Sequence, residues 1–129
     1  MQPKTAALQK NLDFIRQWRI ICTMEFIETP HFTRQITVLM PDEPYRLVQN
    51  ELAQNPHSGD LMPGGGGIRK IRAALPGTGK RGGSRIIYYW QKSKDRIFML
   101  VVYAKAHKTD LDPEQTAAFK ALVKEIERG

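Results

Sequence analysis

Residues 68–103 read IRKIRAALPGTGKRGGSRIIYYWQKSKDRIFMLVVY, and this stretch decides the architecture. Ile68 to Ala73 is a strand with Lys70 and Arg72 on one face and Ile71 and Ala73 on the other, because side chains alternate along a strand. Arg85 to Gln91 is rich in β-branched and aromatic residues, a second strand. Lys92 to Asp95 is a turn, and Arg96 to Tyr103 is a nearly continuous apolar strand, so the pair forms a hairpin. Between the first two strands, Pro76 to Gly83 reads as a flexible basic loop.

Outward from this core, Met24 opens a short strand, Glu25-Phe26-Ile27-Glu28. Phe32, Ile36, Leu39 and Met40 recur at helical spacing, and Pro41 ends that helix. Asp42 is expected to cap a second helix, with Pro44 in its first turn and Tyr45, Val48 and Leu52 as its buried stripe. Asn55-Pro56 stops it. At the other end, Asp112-Pro113-Glu114-Gln115 is a capping box with proline at N1. Phe119, Leu122, Val123 and Ile126 give the final helix its inner face. The predicted class is α+β, a small and mainly antiparallel sheet with two N-terminal helices and a C-terminal helix. All helices are expected on one face, leaving the other to present basic strand residues.

The 129 residues fit one domain at residues 24–129, preceded by an extension at residues 1–23. Two readings of the extension stand: an appendage upstream of a second start at Met24, or a helix packing on the domain through Phe14, Ile15, Trp18 and Ile21. It carries neither a secretory signal nor a transit-peptide composition. No apolar run reaches the ~18 residues of a membrane span. A single cysteine, Cys22, excludes an intrachain disulfide, and one cysteine with three scattered histidines lacks zinc-ligand spacing, so no cofactor or metal is expected.

Charge is the main functional signal. The net charge is +7. Residues 1–23 contribute +3, residues 24–60 contribute −4, and residues 95–129 balance. Residues 61–94 carry eight basic side chains and no acid: Arg69, Lys70, Arg72, Lys80, Arg81, Arg85, Lys92 and Lys94. Eight of the ten glycines lie in residues 64–83, so backbone freedom is predicted where the charge is. A solvated basic face is the plain alternative, but 34 residues without counter-charge repel one another, and a polyanion offsets that cost.

Gly77-Thr78-Gly79-Lys80-Arg81-Gly82 matches a dinucleotide fingerprint formally, yet a strand follows where a helix is required. A phosphate-binding Walker loop fails at Ala74 and Arg81. Tyr88, Tyr89 and Trp90 alternate between faces; at least one belongs to the core, and an exposed tyrosine among arginines is suited to stack a base. Tyr103 and Lys105 point the same way from the last strand. His31 and His57 read as structural or surface residues, whereas His107 follows the last strand and is within reach of the sheet. No Ser-His-Asp triad or carboxylate pair is present in the basic region.

Gly67-Ile68-Arg69-Lys70-Ile71-Arg72, Gly79-Lys80-Arg81-Gly82-Gly83-Ser84, Arg85-Ile86-Ile87-Tyr88-Tyr89 and Tyr103-Ala104-Lys105 resemble the HigB branch of the RelE-like bacterial toxins. The resemblance runs from about Met24 to the C-terminus and leaves residues 1–23 outside. It implies a RelE-like fold and a cytoplasmic, ribosome-dependent endoribonuclease of a type II toxin–antitoxin pair. Such toxins cut mRNA in the ribosomal A site, without metal, by attack of the RNA 2′-hydroxyl. The implied partners are mRNA and the 16S rRNA surface of the ribosome, and a cognate helix-turn-helix antitoxin of HigA type. Operator DNA is reached only through that antitoxin, and no membrane is involved. By motif position the resemblance makes Lys70, Arg72, Arg85, Tyr103 and Lys105 catalytic, with Arg69, Lys80, Arg81, Tyr89 and His107 as further RNA contacts. Arg85 is expected to carry transition-state charge, Lys70 or Lys105 to act as base, and Tyr103 to orient or stack a nucleotide. His107 is the only imidazole option. Two other classes compete: a non-catalytic RNA- or ribosome-binding module, and a DNA-binding regulator. The latter lacks a recognition helix rich in Arg, Asn or Gln.

Overall fold

The computed structural model describes residues 24–75, 79–105 and 111–129, without the side chains of residues 74, 75 and 79–82. Strand β1 (Glu25–Glu28) leads into helices α1 (Pro30–Leu39) and α2 (Asp42–Gln54). The short β2 (Asp60–Leu61) and strands β3 (Arg69–Leu75), β4 (Gly79–Gln91) and β5 (Arg96–Ala104) follow, then helix α3 (Pro113–Arg128). The sheet order is β1-β5-β4-β3-β2, antiparallel except for the β1–β5 pair. The predicted α+β class is the observed one.

Local chemistry explains the element ends. Thr29 caps α1: its Oγ1 accepts from the Phe32 amide at 3.0 Å and donates to the Leu100 carbonyl at 2.8 Å, tying the helix start to β5. The second helix is capped one residue earlier than expected. Pro41 occupies the cap position without a side-chain bond, and Asp42 and Glu43 lie in the first turn, where their charge favours the helix dipole. The capping box of α3 forms as read: Asp112 Oδ1 accepts from the Gln115 amide at 2.8 Å, and Gln115 Oε1 accepts from the Asp112 amide at 3.2 Å. Asp95 closes the β4–β5 hairpin at φ 50°, a left-handed conformation that a short Asp side chain tolerates.

Two expectations are corrected. The loop expected over residues 76–83 is shorter, because β4 begins at Gly79, which pairs with Leu75. The helices do not share one face. Phe32 and Ile36 of α1, with Tyr45, Val48 and Leu52 of α2, pack on Ile71, Ala73, Ile86, Tyr88, Ile97, Met99 and Val102. Val123 of α3, backed by Phe119 and Leu122, packs on Ile68, Ile87, Leu100, Val101 and Tyr103 from the other side. The reason is the unbroken apolar run of β5, since a strand apolar at consecutive positions needs cover on both faces. A bulge refines the fit. Tyr88 pairs with Met99 and Ile87 with Val101, so Leu100 is an extra residue, and Leu100 and Val101 both serve the α3 side.

Candidate functional site

Sheet register assembles the site. Arg72 of β3 is opposite Arg85 of β4, which is opposite Tyr103 of β5. Directly paired residues of antiparallel strands project to the same face, so these three side chains form one row across the sheet. Neighbouring strands are about 4.8 Å apart, which makes the row about 10 Å wide. Lys70, two residues before Arg72, is on the same face in the next row, opposite Ile87. Lys105 extends the face beyond β5, where its amide donates to the Gly83 carbonyl at 3.2 Å. Sequence-named Lys70, Arg72, Arg85, Tyr103 and Lys105 are therefore brought together, on the side of the sheet that α3 partly covers.

The helix ends away from this row. Its C-terminal turn is fixed at the opposite end of β4: Gln91 Nε2 donates to the Ile126 carbonyl at 3.2 Å, and Lys94 Nζ donates to the Gly129 carbonyl at 2.9 Å. Arg72 is exposed, and Lys70 and Lys105 are half-buried. Arg85 is only 4% exposed, and Tyr103 9%. Arg85 Nη1 donates to the Ser84 carbonyl at 3.4 Å. Among the described residues no carboxylate forms a salt bridge with Arg85. Burying a cation without an acid is costly, and an incoming anion offsets that cost. The row is thus suited to grip a phosphate group.

Other sequence-named residues are elsewhere. Arg69 projects to the α1–α2 side, as strand alternation requires, and contacts the α2–β2 connection. Its Nη1 donates to the Gly59 carbonyl at 2.8 Å, and its Nη2 is 3.3 Å from His57 Nδ1. It therefore lies on the face opposite the cationic row. His57 also stacks edge-on against Trp90 at 4.8 Å between ring centroids. Tyr89 shares the cationic face but is four residues from Arg85 and is bonded through its hydroxyl to Glu127 of α3. Burial first, and then Glu127, push its phenol up to about 12. Tyr88 is the core member of the aromatic run; its hydroxyl accepts from the Gly59 amide at 2.9 Å and donates to the Pro56 carbonyl at 2.7 Å. The side chains of Lys80 and Arg81, and all of His107, lie outside the described residues.

Asp60 escaped the sequence reading. Through β2 it is paired with Lys70. A two-residue strand has no periodicity, so no sequence signal marks this neighbour.

A solved structure shares the fold, and two others are similar at lower scores. A mutant form of the E. coli toxin RelE in the free state matches with a TM-score of 0.50 and 15% identity, covering 67% of this chain and 88% of that one. The intact E. coli RelBE toxin–antitoxin complex matches at 0.44 and 19% identity, covering 61% and 93%. The archaeal RelE–RelB complex from Pyrococcus horikoshii OT3 matches at 0.44 and 19%, covering 64% and 96%. The family model described as the RelE toxin of the RelE/RelB toxin–antitoxin system matches residues 29–128, and the chain belongs to this RelE toxin family.

Proposed function

We propose that the protein is the toxin of a type II toxin–antitoxin pair of the HigB branch and cuts mRNA on the ribosome. The observation that carries this reading is the buried Arg85, in one row with Arg72 and Tyr103 and beside Lys70. RNA brings its own nucleophile. In the proposed reaction the 2′-hydroxyl attacks the adjacent phosphorus, and the bond from phosphorus to the 5′-oxygen breaks. Arg85 and Arg72 stabilise the charge that develops on the phosphorane oxygens. A lysine amine, Lys70 or Lys105, accepts the 2′-hydroxyl proton, and the leaving 5′-oxygen takes a proton from a nearby acid. Tyr103 orients the nucleotide, and no metal is required by this scheme. The partners proposed are mRNA and the 16S rRNA surface in the cytoplasm. A helix-turn-helix antitoxin of HigA type encoded beside the toxin is the proposed repressor of both its activity and their operon.

The test is to map new 5′ ends of messages after brief expression. Cuts within translated codons, abolished by Arg85→Ala and strongly reduced by Lys70→Ala, are the expected result. Translation arrest with no new ends would favour the non-catalytic ribosome binder instead. Undiminished toxicity in every alanine variant of the row would overturn the site.

A further inference from the structure

A carboxylate stands at the open edge of the cationic face. Asp60 pairs with Lys70 in antiparallel register, which sets the two Cβ atoms about 5 Å apart on one side of the sheet. Strand alternation agrees from both directions. Met62, two residues after Asp60, and Ile68, two before Lys70, are both buried in the core that faces α3. Asp60 itself is exposed. Its place is maintained by a close approach of backbone: a Cβ on Gly59 would fall 2.8 Å from Tyr88 Cε1 and 2.9 Å from the Lys70 carbonyl oxygen. The β2 segment is therefore seated directly on β3, and Asp60 is not a residue of a loose loop.

Cations also flank Lys70 in the sheet register. Arg72 follows on its own strand, and Arg85 is diagonal to it on β4. From α3, Lys120 packs against Gly66 of the β2–β3 connection. Glu127 of α3 is engaged with Tyr89 at the far end of this face. An acid here also opposes the attraction of RNA, so a purely superficial Asp60 would weaken binding.

We propose that Asp60 is a positioning residue for Lys70. Lys70 Nζ takes the proton from the 2′-hydroxyl, and the Asp60 carboxylate faces the ammonium so formed and restrains the long lysine side chain toward the row. This inference rests on the nuclease reading above and assigns the base of that reaction to Lys70.

The experiment measures mRNA cleavage on programmed ribosomes by the full-length wild-type protein, Asp60→Asn, Asp60→Glu, Lys70→Ala and the Asp60→Asn/Lys70→Ala double variant. Asp60→Asn should lower kcat on the order of ten-fold, the scale of a lost positioning contact. Its KM should stay the same or fall, because a negative charge has left an RNA-binding face. Asp60→Glu should recover part of kcat, and the double variant should be no slower than Lys70→Ala. Wild-type cleavage with an Asp60→Asn enzyme equally fast or faster would overturn the assignment, as would an additional ten-fold loss on the Lys70→Ala background. If the wild-type protein itself leaves ribosome-bound mRNA intact, the nuclease reading fails first and this inference with it.

Discussion

Arg85 is held in β4 between Arg72 and Tyr103 with 4% of its surface exposed. Its described hydrogen bond is to a neighbouring carbonyl, and its described surroundings supply no acid. A cation in that setting contributes little to the fold and much to anion binding. Arg85→Met should therefore abolish cleavage while leaving unfolding stability unchanged, or raised by up to about 1 kcal/mol, as read from urea denaturation. A loss of several kcal/mol would show instead that Arg85 is a structural residue. Gly59 makes the opposite prediction. Gly59→Ala drives a methyl into Tyr88 and the Lys70 carbonyl, so about 1–3 kcal/mol of stability should be lost, measured by the same denaturation. At this scale the grouping of side chains on one face was legible. Lys70 and Arg72 share a face because they are two apart, and the same rule sends Arg69 to the other side, where it bonds to Gly59. Family likeness alone grouped Arg69 with the RNA contacts; alternation separates it. The place of Asp60 was not legible, because it depends on a two-residue pairing between segments ten residues apart.

Helix α3 is held by its cap, by the packing of Val123, Phe119 and Leu122 on the sheet, and by contacts at the end of β4. Asp112→Ala removes the acceptor of the Gln115 amide and should cost about 1 kcal/mol, read as a lower urea midpoint. The contact between Tyr89 and Glu127 adds a pH dependence. The Tyr89 phenol is pushed up to about 12 by burial and by Glu127, against an ordinary value of ~10 in the unfolded chain. A proton held more tightly by the folded state stabilises it below pH ~10, and that stabilisation is lost as pH rises toward ~12. Comparing wild type with Tyr89→Phe isolates the effect from Tyr45 and Tyr88, whose phenols burial also raises. The difference in stability between the two proteins should shrink from pH 10 to pH 12. Apart from the two-residue β2, each helix and strand was readable because caps, prolines and periodicity are local signals. The placement of α3 on the face opposite α1 and α2 overturns the expectation of a single helical face, although β5 carried the clue. Its apolar residues run from Ile97 to Tyr103 without alternation, and such a strand is buried on both sides. The bulge at Leu100 was beyond sequence reading, since it is defined only by the register with β4.

Across the whole molecule, the acidic and basic segments of the chain fold onto different parts of the sheet. Residues 24–60 hold six acids and two bases, and their helices cover one face. The row of β3, β4 and β5 on the other face concentrates Lys70, Arg72, Arg85 and Lys105. No helix among the described residues is long and apolar enough to cross a membrane. If single-stranded RNA neutralises those four cations, counterion release predicts that they contribute about 3 to the magnitude of the slope of log affinity against log salt, at ~0.7 per phosphate contact. Each of Lys70→Ala, Arg72→Ala and Lys105→Ala should flatten the slope by about 0.7. Arg69→Ala serves as the internal control, because its guanidinium is bonded to Gly59 on the opposite face. It should leave the slope unchanged and lower the melting temperature. Filter-binding titrations of a short unstructured RNA over a range of salt concentrations measure all four variants. Equal flattening by Arg69→Ala would mean that RNA is attracted by net charge rather than by the face that sheet register assembles.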